Sequence, residues 1–194
     1  MKSNYEIRAK KFIRQFFASI PAGFFEKRCI VERMVNDFNR AYNRKVRFHY
    51  GISRYAFITS DYVIKVDYNE ETGFGGCVDE YRIYQQALKD NKAYLFAKIT
   101  PYKYNGITFW IMPKITGIGK TEEYAECYFD EEDYEYCIKH LGLSDLHNEN
   151  YGWKDGYPVL IDYASRTSVN EEVFRYRLSI QIRTHGFERA LFYP

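Results

Sequence analysis

The chain is poor in the features that mark several functional classes. Its four cysteines, Cys29, Cys77, Cys127 and Cys137, form no Cys-x-x-Cys pair, so neither a zinc knuckle nor a disulfide framework is legible, and reduced thiols in a cytoplasmic protein are expected. No apolar run approaches the roughly 20 residues of a membrane helix, and the interleaved charges Glu6, Arg8, Lys10 and Lys11 leave no uninterrupted apolar segment of signal-peptide type. No membrane partner is expected. Lysines and arginines number 28 against 26 acidic residues and no basic block stands out, so no nucleic-acid partner is expected either. Repeats and low-complexity tracts are also missing.

Aromatic residues are abundant: 20 tyrosines and 15 phenylalanines in 194 residues. They supply core volume that aliphatic residues usually provide, and tyrosine can keep its hydroxyl wet while its ring is buried. A chain of this length suits one domain, or one built of two small lobes.

Phe12, Ile13, Phe16, Phe17 and Ile20 recur at helical spacing until Pro21-Ala22-Gly23 interrupts them, which predicts a first helix near residues 4 to 19. A second amphipathic helix follows, running to about Tyr42. The period then changes to two. Val46, Phe48 and Tyr50 alternate with Lys45, Arg47 and His49, and strands 55–59 and 62–66 follow across the Ser60-Asp61 turn. A Gly-rich loop over 67–76 precedes a helix from about Val78 to Leu88. Strands Leu95 to Tyr102 and Ile107 to Met112 then flank Asn105-Gly106, a strong hairpin signal. Five antiparallel strands with one inserted helix are expected.

Beyond the connector 113–119 the sequence turns acidic and helical, over 122–127 and 130–140, with Gly142 closing the second stretch. A small hairpin turning at Lys154-Asp155-Gly156 delivers Asp162 at its end. The tail is ambiguous: residues 171–183 read as a helix capped by Ser168 or Asn170, or as a strand by the alternation of Tyr176, Leu178, Ile180 and Ile182.

The densest chemistry lies in Leu143-Ser144-Asp145-Leu146-His147-Asn148-Glu149-Asn150, followed by Val159-Leu160-Ile161-Asp162. An acid, an amide five positions later and a second acid on a short strand suit phosphoryl transfer: one carboxylate orients a hydroxyl, and the amide with the second carboxylate holds magnesium. With Val63-Ile64-Lys65-Val66 on the third strand and Glu80 on the following helix, these motifs stand in the order found in the protein-kinase-like superfamily, which the chain resembles over about residues 45 to 165. It looks most like compact, atypical Ser/Thr kinases of bacteria or bacteriophages.

The resemblance implies an α+β, two-lobed fold: a five-stranded antiparallel N-lobe sheet with one inserted helix, a reduced helical C-lobe and two extra N-terminal helices. The boundaries would be 1–44 for the helical extension, 45–113 for the N-lobe and 114–194 for the C-lobe. ATP and Mg²⁺ are the implied cofactors and a protein the implied substrate. Lys65 would meet the α and β phosphates and Glu80 would orient it. Asp145 would take or orient the hydroxyl proton, and Asn150 and Asp162 would ligate Mg²⁺. Gly51, Ile52, Ser53 and Ala56 would approach the phosphates. Met112 would line the adenine pocket, and backbone from Pro113 to Ile115 would meet the adenine edge.

The departures bear on function. One glycine, Gly51, stands where the superfamily commonly has three. Leu143-Ser144 replaces the usual His-Arg, which removes the docking point for a phosphorylated activation loop. Tyr163-Ala164 replaces Phe-Gly, and about thirty residues follow Asp162. These features keep a kinase-like interaction module in view as an alternative, and His147, which resembles small-molecule kinases, keeps a small-molecule substrate in view.

Overall fold

A computed structural model of the chain describes residues 4–18, 28–51, 54–67, 76–117 and 129–164. The expectations for Ile52 and Ser53, for a helix over 122–127 and for the tail fall outside these residues. The chain divides into two compact units, Met1–Gln85 with Ala97–Ile115, and Gln86–Phe96 with Thr116–Pro194.

The first unit holds helices α1 (Asn4–Phe16) and α2 (Arg28–Tyr42) and strands β1 (Arg47–Tyr50), β2 (Arg54–Ile58), β3 (Tyr62–Asp67), β4 (Thr100–Tyr104) and β5 (Ile107–Pro113). Most of helix α3 (Cys77–Lys89) also belongs to it. The sheet is antiparallel throughout, in the order β1-β2-β3-β5-β4. It matches the expected five strands with one helix inserted between the third and the fourth.

Side-chain alternation gives the sheet two distinct faces. Tyr55, Phe57, Tyr62, Ile64, Val66, Phe109 and Ile111 are buried in one cluster with Phe12, Ile13, Phe16 and Phe17 at α1 and Val31, Val35 and Phe38 of α2. The cluster is largely aromatic. Phe17 meets Phe57 edge-on at 5.3 Å and lies 4.6 Å from Phe109, and Phe12 meets Phe38 edge-on at 5.3 Å. Edge-to-face rings at these spacings add to the burial of their area. Ala56, Lys65, Trp110 and Met112 belong to the opposite face, where α3 packs through Tyr81 against Trp110, with ring centroids 5.6 Å apart.

Asn105 (φ 49°) and Gly106 (φ 78°) make the hairpin turn between β4 and β5 in the left-handed region that a two-residue loop requires. Pro101 sits in β4, an edge strand, where its missing N–H costs no interior ladder bond.

Two details differ from the periodicity. Tyr50 alternates like a core residue yet is 42% exposed, and the Arg28 guanidinium stacks 3.1 Å from its ring centroid. β4 begins at Thr100 rather than Leu95, because residues 93–95 form a 3₁₀ turn and Phe96 makes a parallel bridge to Leu160 in the second unit. The apolar run 95–99 is thus divided, with Leu95 and Phe96 buried in the second unit and Ala97 and Ile99 in the first.

Glu6 joins α1 to the segment before β4. It is only 5% exposed and accepts hydrogen bonds from Lys98 Nζ (2.8 Å) and Thr100 Oγ1 (3.4 Å). The Lys98 bond is the main cause holding its carboxyl below the ordinary value of 4.5. A carboxyl whose folded value is depressed contributes stability above its unfolded value and loses that contribution as pH falls through the folded one. Lys98→Met should therefore be less stable than the parent near neutrality, and the gap should narrow below about pH 4.5. Urea midpoints measured across that range check this, and a gap independent of pH would refute it.

In the second unit, α4 (Glu131–Glu135) starts on Asp130, whose carboxylate accepts the Asp133 N–H at 2.8 Å. The helix ends in a π-helical turn, residues 136–140, where the Leu141 N–H reaches back five residues to Tyr136 O at 3.1 Å. Lys92 pairs with Glu132 (2.6 Å) and Asp133 (2.8 Å), and the Tyr136 hydroxyl donates to Asp90 (2.7 Å), so residues 90–92 are held against this helix. Strands β7 (Tyr151–Lys154) and β8 (Tyr157–Leu160) form the expected hairpin, turning at Asp155 (φ 53°) and Gly156 (φ 85°). β6 (Thr116–Gly117) adds a third antiparallel strand on β7. Among the described residues this unit combines a three-stranded antiparallel sheet with several short helical stretches.

Candidate active-site residues

Lys65 lies in the middle of β3, paired with Ala56 on β2 and Trp110 on β5, so its ammonium leaves the sheet on the face that α3 covers. The start of α3 is fixed by Asp67, at the end of β3. Its carboxylate accepts the Cys77 N–H at 3.1 Å and 3.3 Å, supplying a partner for an amide at the helix start. Gly76 leaves room for this approach. A Cβ there would stand 3.1 Å from Asp67 Oδ1.

Glu80, one turn into α3, then receives Lys65 Nζ at 2.7 Å on Oε1 and 3.0 Å on Oε2. The pair is interior: Lys65 is 6% exposed and Glu80 not at all. The apolar surroundings also push the thiol of the neighbouring Cys77 well above its ordinary range, through burial first and the Glu80 charge second.

A third member was not legible in the spacing. Arg54 Nη1 stands 3.2 Å from Glu80 Oε1, with its side chain 16% exposed. The β2–β3 register explains it: Ala56 faces Lys65, and Arg54, two residues earlier, lies on the same side. A basic residue an even number of positions from the strand partner of Lys65 is the signal that could have found it, but only once the register is known. One buried carboxylate thus serves two cations. Of the other expected first-unit residues, Ala56 is half-buried, Met112 is 2% exposed on the Lys65 face, Ile115 is buried and Gly51 is exposed. The Gly51 N–H donates to Arg54 O at 2.9 Å, closing the turn into β2.

In the second unit, buried Leu143, Leu146 and Tyr151 anchor the segment that carries Asp145 and Asn150. Leu143 N–H donates to Cys137 O at 3.0 Å, tying the segment to the π-helical turn. The Asp145 side chain is 51% exposed. Its backbone carbonyl accepts the Asn150 Nδ2–H at 2.7 Å, which fixes the amide's orientation. Asn150 is 7% exposed, and its Oδ1 has no protein donor among the described residues.

The backbone carbonyl of Asn150 accepts Ile161 N–H at 2.7 Å and Asp162 N–H at 3.4 Å, so the residue before β7 and the residues after β8 are joined. His147 offers Nε2 at 3.4 Å from Asp145 Oδ1 and 3.2 Å from Asn150 Nδ2, while Nδ1 lies 3.3 Å from the Glu149 N–H. A neutral imidazole has one donor and one acceptor nitrogen. Nε2 can therefore donate to Asp145 or accept from Asn150, not both.

A buried amide oxygen without a protein donor, close along the chain to a carboxylate, fits a hard cation. No cluster of three or more His, Cys, Asp or Glu residues is arranged to hold a metal among the described residues. Magnesium does not need one, because it keeps waters and substrate phosphates as ligands beside one or two protein oxygens.

No family model and no curated protein matches the chain. Among solved structures it is similar to the bifunctional kinase-methyltransferase WbdD, at 18% identity and a TM-score of 0.35, over 67% of this chain and 33% of that one. It is also similar to WbdD in a co-crystal with the kinase inhibitor LY294002, at 15% identity and a TM-score of 0.36, over 71% of this chain and 38% of that one. The chain therefore spans little more than a third of those structures. Superposition of this extent does not define a family.

Proposed function

We propose that the chain is an ATP- and Mg²⁺-dependent phosphotransferase acting on protein serine or threonine hydroxyls. The observation that carries this reading is the buried Lys65–Glu80 pair. Burying charge is costly even when it is paired, and an apolar pair of similar volume often stabilises as well or better; ionic groups held in an interior are therefore candidates for function.

In this reading Lys65, oriented by Glu80, meets the α and β phosphates, with Met112 and the backbone of 113–115 against the adenine. Gly51 and Ala56 give close approach to the phosphates, and Ile52 and Ser53 belong to the same stretch of sequence. Asn150 Oδ1 and the Asp162 carboxylate would hold magnesium, which when bound neutralises charge on the transferred group. Asp145, with an exposed carboxylate, takes or orients the proton of the incoming hydroxyl.

Incubation with γ-labelled ATP, Mg²⁺ and a cell lysate should place label on protein, and chelation of the metal should stop it. His147, exposed beside Asp145, supports a second reading in which the hydroxyl belongs to a small molecule; ATP consumption stimulated by a metabolite fraction and not by protein would favour that one. Thermal stabilisation by ATP and Mg²⁺ with no transfer to any acceptor would make the chain a nucleotide-binding interaction module instead.

A further inference from the structure

On the side of the first unit away from Lys65 lies a cavity of about 780 Å³, a size typical of small-molecule sites. Tyr62 lines it and Lys65 does not; three positions apart on one strand, their side chains leave opposite faces of the sheet. Phe12, Phe38, Val46 and Tyr62, each less than a tenth exposed, make its apolar wall.

The polar lining is strongly one-sided in charge. Lys11, Arg44, Lys45, Arg47 and Lys114 all contribute, and among the described residues none of them has a carboxylate within ion-pair distance. Asp61 is the one acidic lining residue, and it is already paired with Arg8. The cations come from α1, the segment joining α2 to β1, β1 itself and the residue after β5.

Burial first, and the neighbouring Arg47 second, hold the Lys114 ammonium below its ordinary value. Like charges gathered at a concave, partly apolar surface raise the local potential and favour an anion there. The packing of the unit gives no reason to gather five cations with no carboxylate partner among the described residues at one place.

We propose that this cavity is a binding site for a small molecule with two or more adjacent phosphoryl groups on an organic body. Arg44, Arg47 and Lys114 would engage the phosphates, and Phe12, Phe38 and Tyr62 the body. Multiple charge is required because one phosphate would leave most of the five cations uncompensated, and arginine is suited to the planar, two-pronged recognition of phosphate oxygens. The concave, partly open shape and the volume of about 780 Å³ suit a small ligand. This site is independent of the proposed phosphotransferase function and stands if that reading fails.

The probe is inorganic tripolyphosphate without added metal, titrated against the full chain while thermal unfolding is followed. Stabilisation that saturates, and that exceeds the effect of sodium chloride at matched ionic strength, is expected. Arg44 and Arg47 are exposed, so Arg44→Glu/Arg47→Glu should fold and should weaken the apparent affinity by about tenfold or more, since each lost charge-assisted contact is strong.

Lys103→Glu/Lys154→Glu changes net charge equally at exposed positions outside the cavity and should leave the affinity nearly unchanged. The proposal is overturned if tripolyphosphate does no more than salt, if the Arg44/Arg47 variant binds as the parent does, or if the two double variants weaken binding equally.

Discussion

Glu80→Ala is expected to destabilise the protein by about 3–5 kcal/mol, the cost of breaking a buried ion pair from one side. The substitution leaves Lys65 and Arg54, both largely buried, without their shared counter-charge. Cavity formation adds to the loss, because Glu80 has no exposed surface. Lys65→Met should cost less, since Glu80 keeps Arg54 at 3.2 Å and the methionine stem replaces most of the lysine's packing. Urea unfolding of the two variants gives the comparison directly. Equal midpoints for Glu80→Ala and the parent would mean the pair is not buried in solution. If the proposed function holds, both variants also lose phosphate transfer, and Lys65→Met loses it while remaining the better folded of the two.

If the proposed function holds, Asp145→Asn is expected to lower the rate of transfer by about 10²–10⁴-fold, the range for removing a positioned general base. Stability should barely move. The side chain is half exposed, and His147 Nε2 stands 3.4 Å from its Oδ1, an arrangement worth at most about 1 kcal/mol. Asn150 should keep its orientation too, because its amide binds the backbone carbonyl of residue 145 and not the carboxylate. ATP with Mg²⁺ should therefore still raise the melting temperature of the variant. Unchanged label transfer by Asp145→Asn would remove Asp145 from the chemistry; loss of both transfer and nucleotide stabilisation would assign it a part in binding.

Much of the first unit is legible in the sequence because its signals are local. Asn105-Gly106 specifies its own turn, the alternation over 55–66 specifies two strands, and the apolar spacing around Phe12 and Phe38 specifies helices whose aromatic faces cover the sheet. What escapes depends on pairing across distance. Arg54 reaches Glu80 through the register of β2 on β3, and register is set by the whole sheet. The run 95–99 is uniformly apolar, so periodicity cannot tell that Phe96 pairs with Leu160. β6 is two residues long, too short to leave a pattern. The basic cavity draws its cations from three stretches of sequence, Lys11, the short basic run Arg44-Lys45-Val46-Arg47 and Lys114, and only the fold brings them together. In the candidate site the residue types are legible from their spacing, whereas the Oδ1 of Asn150, without a donor among the described residues, and the two-sided position of His147 are facts of geometry.

If the proposed function holds, the Arg54–Glu80–Lys65 cluster also bears on turnover. A carboxylate with a single cationic neighbour would be stranded in a dry interior each time that neighbour swung toward an incoming phosphate. With Arg54 in place, Lys65 could lean toward a phosphate oxygen while still oriented by Glu80, and the acid would keep a second cation beside it throughout. Arrival and departure of a nucleotide would then shift ionic contacts without stranding a charge, at a small electrostatic barrier. Arg54→Met should make the lysine's move toward phosphate harder and slow nucleotide exchange more than it slows the transfer step.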